Sequence, residues 1–182
     1  MVGLGSSVYW TFAVDYAVRE GAHSAAEGRT LFLVVGLASI GGALAGDLVR
    51  RLGGRLAFAA SLAGLVASFH LLAASAHSLG ATLASGALFG LGYNLVLAIQ
   101  AIWSAHIFSD RPSAGLSAVM FALGAGLLAG PAIGGALAEA VGLTGVLYGA
   151  GAAVATVIAL APREPLDGGI AAHAREGLRC GW

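Results

Sequence analysis

The residues of this chain that could do chemistry are few, and they lie inside apolar stretches. Tyr93, Gln100 and Trp103 follow one another at spacings of seven and three, which places them on one face of a helix. Asn94 occupies a neighbouring face. Such an aromatic–amide face can line a cavity, hydrogen-bonding a solute through the amide and stacking on it through the rings. The same Asn and Gln can instead tie two helices together within a bilayer. Tyr9, Trp10 and Thr11 form a second group, and Asp15 lies just beyond them. A carboxylate withdrawn from water can exchange a proton near neutrality, so Asp15 is a candidate proton or cation site. Arg19 falls four residues later, a favourable spacing for an ion pair, and the structural pair is the favoured reading. His70 is the other titratable candidate, because an imidazole changes charge close to neutral pH. The competing role is that of a hydrogen-bonded packing residue. Substrate-cavity candidates are therefore Tyr9, Trp10, Thr11, Tyr93, Asn94, Gln100 and Trp103, and proton-coupling candidates are Asp15 and His70. The sequence offers no nucleophile–base pair, metal-ligand spacing or phosphate-binding loop. Neither an enzymatic reaction nor a metal or other cofactor is expected.

The elements that position these residues follow from composition. Of 182 residues, 58% are hydrophobic and 10% charged, and the mean hydropathy is +0.88. Soluble chains average about 25% charged residues, so most of this chain must face lipid or other buried helices. The 29 glycines suit close helix packing in a bilayer. A net charge of zero gives no reason to expect a nucleic-acid partner. Cys180, the single cysteine, can form no disulfide within the chain. A spanning helix needs roughly 20 mainly apolar residues, and six segments meet that need: 1–18, 30–49, 56–76, 79–106, 113–138 and 144–161. Polar, glycine-rich or proline-marked breaks separate them. Residues 1–162 are read as one six-helix bundle. Residues 163–182 mix charge, Gly and Pro and read as a soluble, mostly disordered tail.

Arginine placement orients the bundle. Arg50, Arg51, Arg55, Arg111, Arg163, Arg175 and Arg179 fall on one side, and Arg19 and Arg29 on the other. The positive-inside rule makes the richer side cytoplasmic, and six spans then put both termini there. The expected location is the cell membrane, with multiple passes. Two matches suggest an internal repeat. GGALA occurs at 41–45 and 134–138, and GLG at 3–5 and 90–92. The first GGALA ends the second span on the cytoplasmic side, and the other ends the fifth on the outer side. Two three-helix units of inverted topology would produce that relation, as in secondary transporters.

Between the second and third spans lies Gly46-Asp47-Leu48-Val49-Arg50-Arg51-Leu52-Gly53-Gly54-Arg55. It resembles the cytoplasmic loop of the major facilitator superfamily, written G-x-L-x-D-R-x-G-R-R. Gly46, Leu48, Arg51, Gly53 and Arg55 fall in register. Arg50 replaces the family's central Asp, and Asp47 sits three positions early. In the fifth span, Gly130-Pro131-Ala132-Ile133-Gly134-Gly135 is similar to the G-P-x-x-G-G of that family's eleventh helix. Phe108-Ser109-Asp110-Arg111 looks like the loop entering it. The resemblance covers residues 1–162 and implies the C-terminal six-helix half of a transporter, of unresolved subfamily. It also implies that 46–55 acts as a latch between helix ends during conformational cycling. A further implication is that the fourth span, like the family's tenth helix, borders the central cavity. On the residues alone, the arginines are a positive-inside anchor and Gly53-Gly54 a tight turn. Pro131 removes a backbone hydrogen bond and should kink its helix. Gly126, Gly130 and Gly134 repeat every fourth residue, a face for close packing.

The function expected is movement of a small solute by alternating access, as part of a major-facilitator-type transporter. A truncated non-transporting fragment or a membrane assembly subunit is the alternative. The lipid bilayer, a small-molecule substrate and a second six-helix half are the expected partners. That half would be a missing N-terminal part, a separate chain or a second copy. Aligning Gly3 with Gly90 leaves the first helix about two turns short of the fourth. This favours a C-terminal portion of a longer transporter of about twelve helices, cut by a misplaced start or a disrupted gene.

Overall fold

A computed structural model describes residues 1–160. The expected tail 163–182, with Arg163, Arg175, Arg179 and Cys180, lies outside the described residues. The described chain is all α-helical: α1 Val2–Arg19, α2 Ala25–Ser39, α3 Ala45–Leu52, α4 Gly54–Ala74, α5 Leu79–Ile107 and α6 Pro112–Leu160. A 3-10 turn, Ile40–Leu44, joins α2 to α3, so residues Ala25–Leu52 form one rod. Four stretches are long and apolar enough to cross a bilayer: Ala25–Leu52, Gly54–Ala74, Leu79–Ile107 and Pro112–Ala159. This is a multi-pass membrane protein.

The helix boundaries follow local chemistry. Ser24 caps α2 through a reciprocal box: its hydroxyl accepts from the Glu27 amide at 3.2 Å, and the Glu27 carboxylate accepts from the Ser24 amide at 2.8 Å. Two orphan donors at the helix start are satisfied this way, and α2 begins five residues before the expected start at residue 30. Gly53 ends α3 with φ 77° and ψ 154°, a backbone region open essentially to glycine alone. The expected gap between the fifth and sixth spans is not a loop. Gly142, at φ 73° and ψ 163°, is the one residue of α6 outside helical dihedrals. It nonetheless reverses the chain. A Cβ on Gly3 would meet the Leu123 carbonyl, and one on Gly5 would meet Val154 and Ala150. A straight helix would separate residues 123 and 154 by roughly 46 Å. The two arms of α6 therefore lie side by side against α1. The dihedrals stay helical through Pro131, where the kink was expected, and break at Gly142 instead.

The packing pairs are few and close. α1 lies along α6, α5 along α4 and along the α2–α3 rod, and α4 against the second arm of α6. Tyr9, Leu31, Leu62, Leu65, Phe69, Leu72, Phe89, Ile99, Leu147 and Val154 are fully buried at the centre. Glycines set the approach distances. A Cβ on Gly90 would strike the Val35 carbonyl, and one on Gly92 would meet Ser61 and Leu65. Outward, Leu33, Leu37, Ile40, Phe121, Leu128 and Val141 are exposed, as lipid-facing side chains must be.

Candidate functional site

Where α1, α2 and α5 meet, aromatic rings gather. Tyr9 stacks on Phe89 at 3.9 Å, and Phe89 stacks on Tyr93 at 5.6 Å. Trp10 lies edge-on to Phe89 at 5.4 Å and to Tyr93 at 6.1 Å, and is near-parallel to Phe32 at 5.8 Å. The position of each ring in this group decides its use. Trp10 and Phe32 remain 39% and 37% exposed, whereas Tyr93 is 8% exposed. Tyr9 corrects the expectation of a cavity-lining residue: it is completely buried, and its hydroxyl is paired with that of Ser85. Burial of a tyrosine requires such a partner, and Tyr9 serves as the base on which Phe89 rests. Thr11 is exposed beside Trp10 on α1.

Asn94 lies at the 3-10 turn. Its amide donates to the Ser39 hydroxyl at 2.8 Å and to the Gly90 carbonyl at 3.1 Å. The Ser39 hydroxyl donates in turn to the Val35 carbonyl at 2.8 Å. A Cβ on Gly42 would press on Asn94, and one on Gly41 on Leu91. The turn thus rests directly on α5 and is tied to it by a polar clasp. Phe32, Phe89 and Ser39 were not legible as site residues from sequence. The seven-residue step from Phe32 to Ser39, matching that from Tyr93 to Gln100, was the available signal.

Tyr93, Gln100 and Trp103 share a helix but not a cavity. Gln100 borders a separate space of about 300 Å³ with Met1, Gly3, Val119, Leu123 and Val157, and its side-chain oxygen is buried there with no protein donor. Trp103 packs on Phe58 of α4 at 4.7 Å. Asp15 accepts from Arg19 at 2.6 Å within α1, both partly exposed. His70 is exposed on α4, bonded to the Val66 carbonyl at 2.9 Å and edge-on to Tyr148. The two proton-coupling candidates sit on different helices with different partners.

In the segment 46–55, Asp47 and Arg50 are paired across one turn of α3. Arg51 and Arg55 are exposed, and neither forms an ion pair among the described residues. Gly46 lies in the first turn of α3 and Gly53 turns the chain into α4. On the first arm of α6, Gly126 and Gly130 back onto Gly3, Leu4 and Ser7 of α1, and Gly134 onto Phe12 and Val8. Gly135 has open space beside it, and Pro131 is partly buried between them.

These features place apolar spans, a basic glycine-turned connection and an aromatic open face in one bundle. No curated protein and no solved structure matches the chain. The family model described as Major Facilitator Superfamily matches residues 1–178, nearly the whole length, and the chain belongs to the major facilitator superfamily.

Proposed function

We propose that this protein is one six-helix half of a transporter that moves a small solute by alternating access. Its six spans are α1, the Ala25–Leu52 rod, α4, α5 and the two arms of α6, arranged as two inverted three-helix units. The observation that carries this reading is a set of paired contacts displaced by 87 to 89 residues. Gly3 abuts Leu123, and Gly90 abuts Val35. Gly5 abuts Val154, and Gly92 abuts Leu65. Gly130 abuts Ser7, and Gly42 abuts Asn94. Gly53 and Gly142, at the two tight turns, adopt nearly the same dihedrals. Each helix of one unit thus meets the other unit as its counterpart does, which a pseudo-twofold relation between repeats requires. Five consecutive identities in GGALA are not part of it, because their displacement of 93 residues would equate Gly42 with Gly135, which touches nothing.

In this reading the face bearing Trp10, Thr11, Phe32, Tyr93 and Asn94 borders the solute path. Gln100, in its separate space beside Met1 and Leu123, supplies a polar contact nearer the cytoplasmic end, and Asp15 and His70 are the titratable groups available for coupling. Segment 46–55 acts as the cytoplasmic latch. The Asp47–Arg50 pair holds α3 together, and Arg51 and Arg55 are left to bridge helix ends in the alternate state. The second bundle is supplied by another chain, a second copy or the remainder of a longer protein. Both termini are cytoplasmic, in the cell membrane.

Reconstitution in liposomes is the test. The complete assembly should give saturable uptake of a small solute, with Arg51→Ala slowing transport while leaving solute affinity unchanged. Gln100→Ala should weaken affinity. Correctly inserted protein that passes no sugar, amino acid, organic anion or organic cation sinks the transport reading. An impermeant maleimide should label Cys180 in inside-out vesicles and spare intact cells.

A further inference from the structure

We propose that the Trp10–Phe32–Tyr93 face selects a planar aromatic cation as its solute, an inference that rests on the open face bordering the transport path. Three observations combine. First, the exposed groups at the centre of this face are aromatic. Trp10 and Phe32 are each more than a third exposed and held parallel, with Phe89 and Tyr93 stacked behind them. Ring edges and faces fixed by their neighbours present a rigid surface to a flat molecule, and ring faces attract positive charge. The ordering cost is already met, because Trp10 is braced edge-on by two rings and lined up with a third.

Second, nothing there would hold an anion. Among the described residues every arginine lies at or beyond a helix end: Arg19 in the last turn of α1, Arg29 near the start of α2, Arg50 and Arg51 in the last turn of α3, Arg55 at the start of α4, and Arg111 before α6. The charges closest to Trp10 along α1 are Asp15 and Arg19, which neutralise each other. An anion brought to the centre of the span would lose its hydration with no cation to replace it.

Third, an acceptor lies beside Tyr93 on α5. Both hydrogen bonds given by the Asn94 amide go to protein acceptors, which leaves its carbonyl oxygen to accept. Thr11 adds one hydroxyl. An aromatic ammonium finds ring faces and an acceptor here.

Equilibrium binding of 1-pyrenemethylammonium to the full chain in lipid nanodiscs tests this, with empty nanodiscs subtracted to remove partitioning. The matched probes are 1-pyrenesulfonate, of the same ring and opposite charge, and cyclohexylmethylammonium, of the same charge without the aromatic plane. We expect saturable binding of the pyrene cation, weakened about tenfold by Trp10→Ala and by Phe32→Ala. Trp10→Phe should keep binding within about threefold, because it restores a ring face. The pyrene anion and the aliphatic cation should each bind at least about tenfold more weakly than the pyrene cation. Non-saturable binding, equal affinity for the pyrene cation and anion, or alanine variants that bind like the unchanged protein would overturn the proposal and leave this face to lipid or to a second bundle. Helicity by circular dichroism separates loss of the face from loss of the fold, and Phe32→Ala reads the same face if Trp10→Ala misfolds. Because binding is read without a gradient, it can succeed where liposome uptake fails. Uptake of some other solute, unaffected by Trp10→Ala, would retain the transporter and remove only this assignment of its substrate.

Discussion

The crossing of α1 over α6 and the crossing of α5 over the α2–α3 rod are built on the same steric contact, but they are held by different chemistry. In each, a glycine of one helix meets a backbone carbonyl of the other: Gly3 against Leu123, and Gly90 against Val35. In each, a second glycine receives a polar side chain one turn away, with Gly130 taking Ser7 and Gly42 taking Asn94. The difference lies in what those side chains do. The Ser7 hydroxyl bonds back to Leu4 of its own helix at 2.7 Å, so at this contact with the first arm of α6, α1 is held by packing, and its hydrogen bond to α6, Tyr16 with Thr144 at 3.1 Å, lies on the second arm. Asn94 reaches across to Ser39, and the rod tightens there into a 3-10 turn. A mid-helix 3-10 stretch is a common hinge. The comparison teaches that two crossings of equal shape can differ in whether a polar clasp spans the contact.

Substitutions of the contact glycines should have the largest effects. Gly90→Val puts a branched side chain into the Val35 backbone from the middle of a helix. It should cost about 3 kcal/mol, the upper range for overpacking a filled interior. Gly3→Val meets Leu123 in the same way but from the first turn of α1, which can shift, so the cost should be about 1 kcal/mol. Reversible unfolding in mixed micelles, followed by circular dichroism, reads both. Equal large losses would mean that α1 is as firmly held as α5. No loss at Gly90 would dissolve the comparison.

The two turns come next. Gly53→Ala and Gly142→Ala each force a Cβ into a conformation that L residues avoid, for about 1–3 kcal/mol. Their dihedrals agree closely, so the two losses should agree as well, by the same unfolding measurement. Losses differing by more than about 1 kcal/mol would mean that the two turns reverse the chain differently despite their like dihedrals.

The smallest effects separate the crossings chemically. Asn94→Leu removes the clasp and should cost about 0.6–1.7 kcal/mol, from the average to the largest value measured for interhelical hydrogen bonds in a bilayer protein. Ser7→Ala removes only a bond within its own helix, and its stability should stay within about 0.5 kcal/mol of the unchanged protein. A loss at Ser7 equal to that at Asn94 would show that both crossings depend on polar ties.

How much of this was legible from sequence varies by residue. The Ser24–Glu27 box is written plainly as S-A-A-E, yet hydropathy placed the helix start at residue 30, because the polar first turn lies below the apolar threshold. Asp15 with Arg19 was readable because an i, i+4 pair depends on one helix alone. Tyr9 was not, because nothing local distinguishes a tyrosine turned toward Ser85 from one turned toward a cavity. The face containing Tyr93, Gln100 and Trp103 was correct as helix geometry, but those three side chains meet different neighbours.

By itself the sequence determined the apolar, all-helical and multi-pass character of the chain, the turns at Gly53 and near Gly142, and the family. These follow from local rules: in lipid a backbone must satisfy its own hydrogen bonds, so helices can be recognised from the residues within them. Tertiary structure alone decided which glycine meets which backbone, Gly3 against Leu123 and Gly90 against Val35. It also decided that Trp10 and Phe32 stay open while Tyr9 closes, and that Asn94 ties down Ser39. Each of these depends on which helix lies opposite, and in a bilayer, where lipid is as apolar as leucine, that choice is made by the fit of glycines and small polar groups across the crossings.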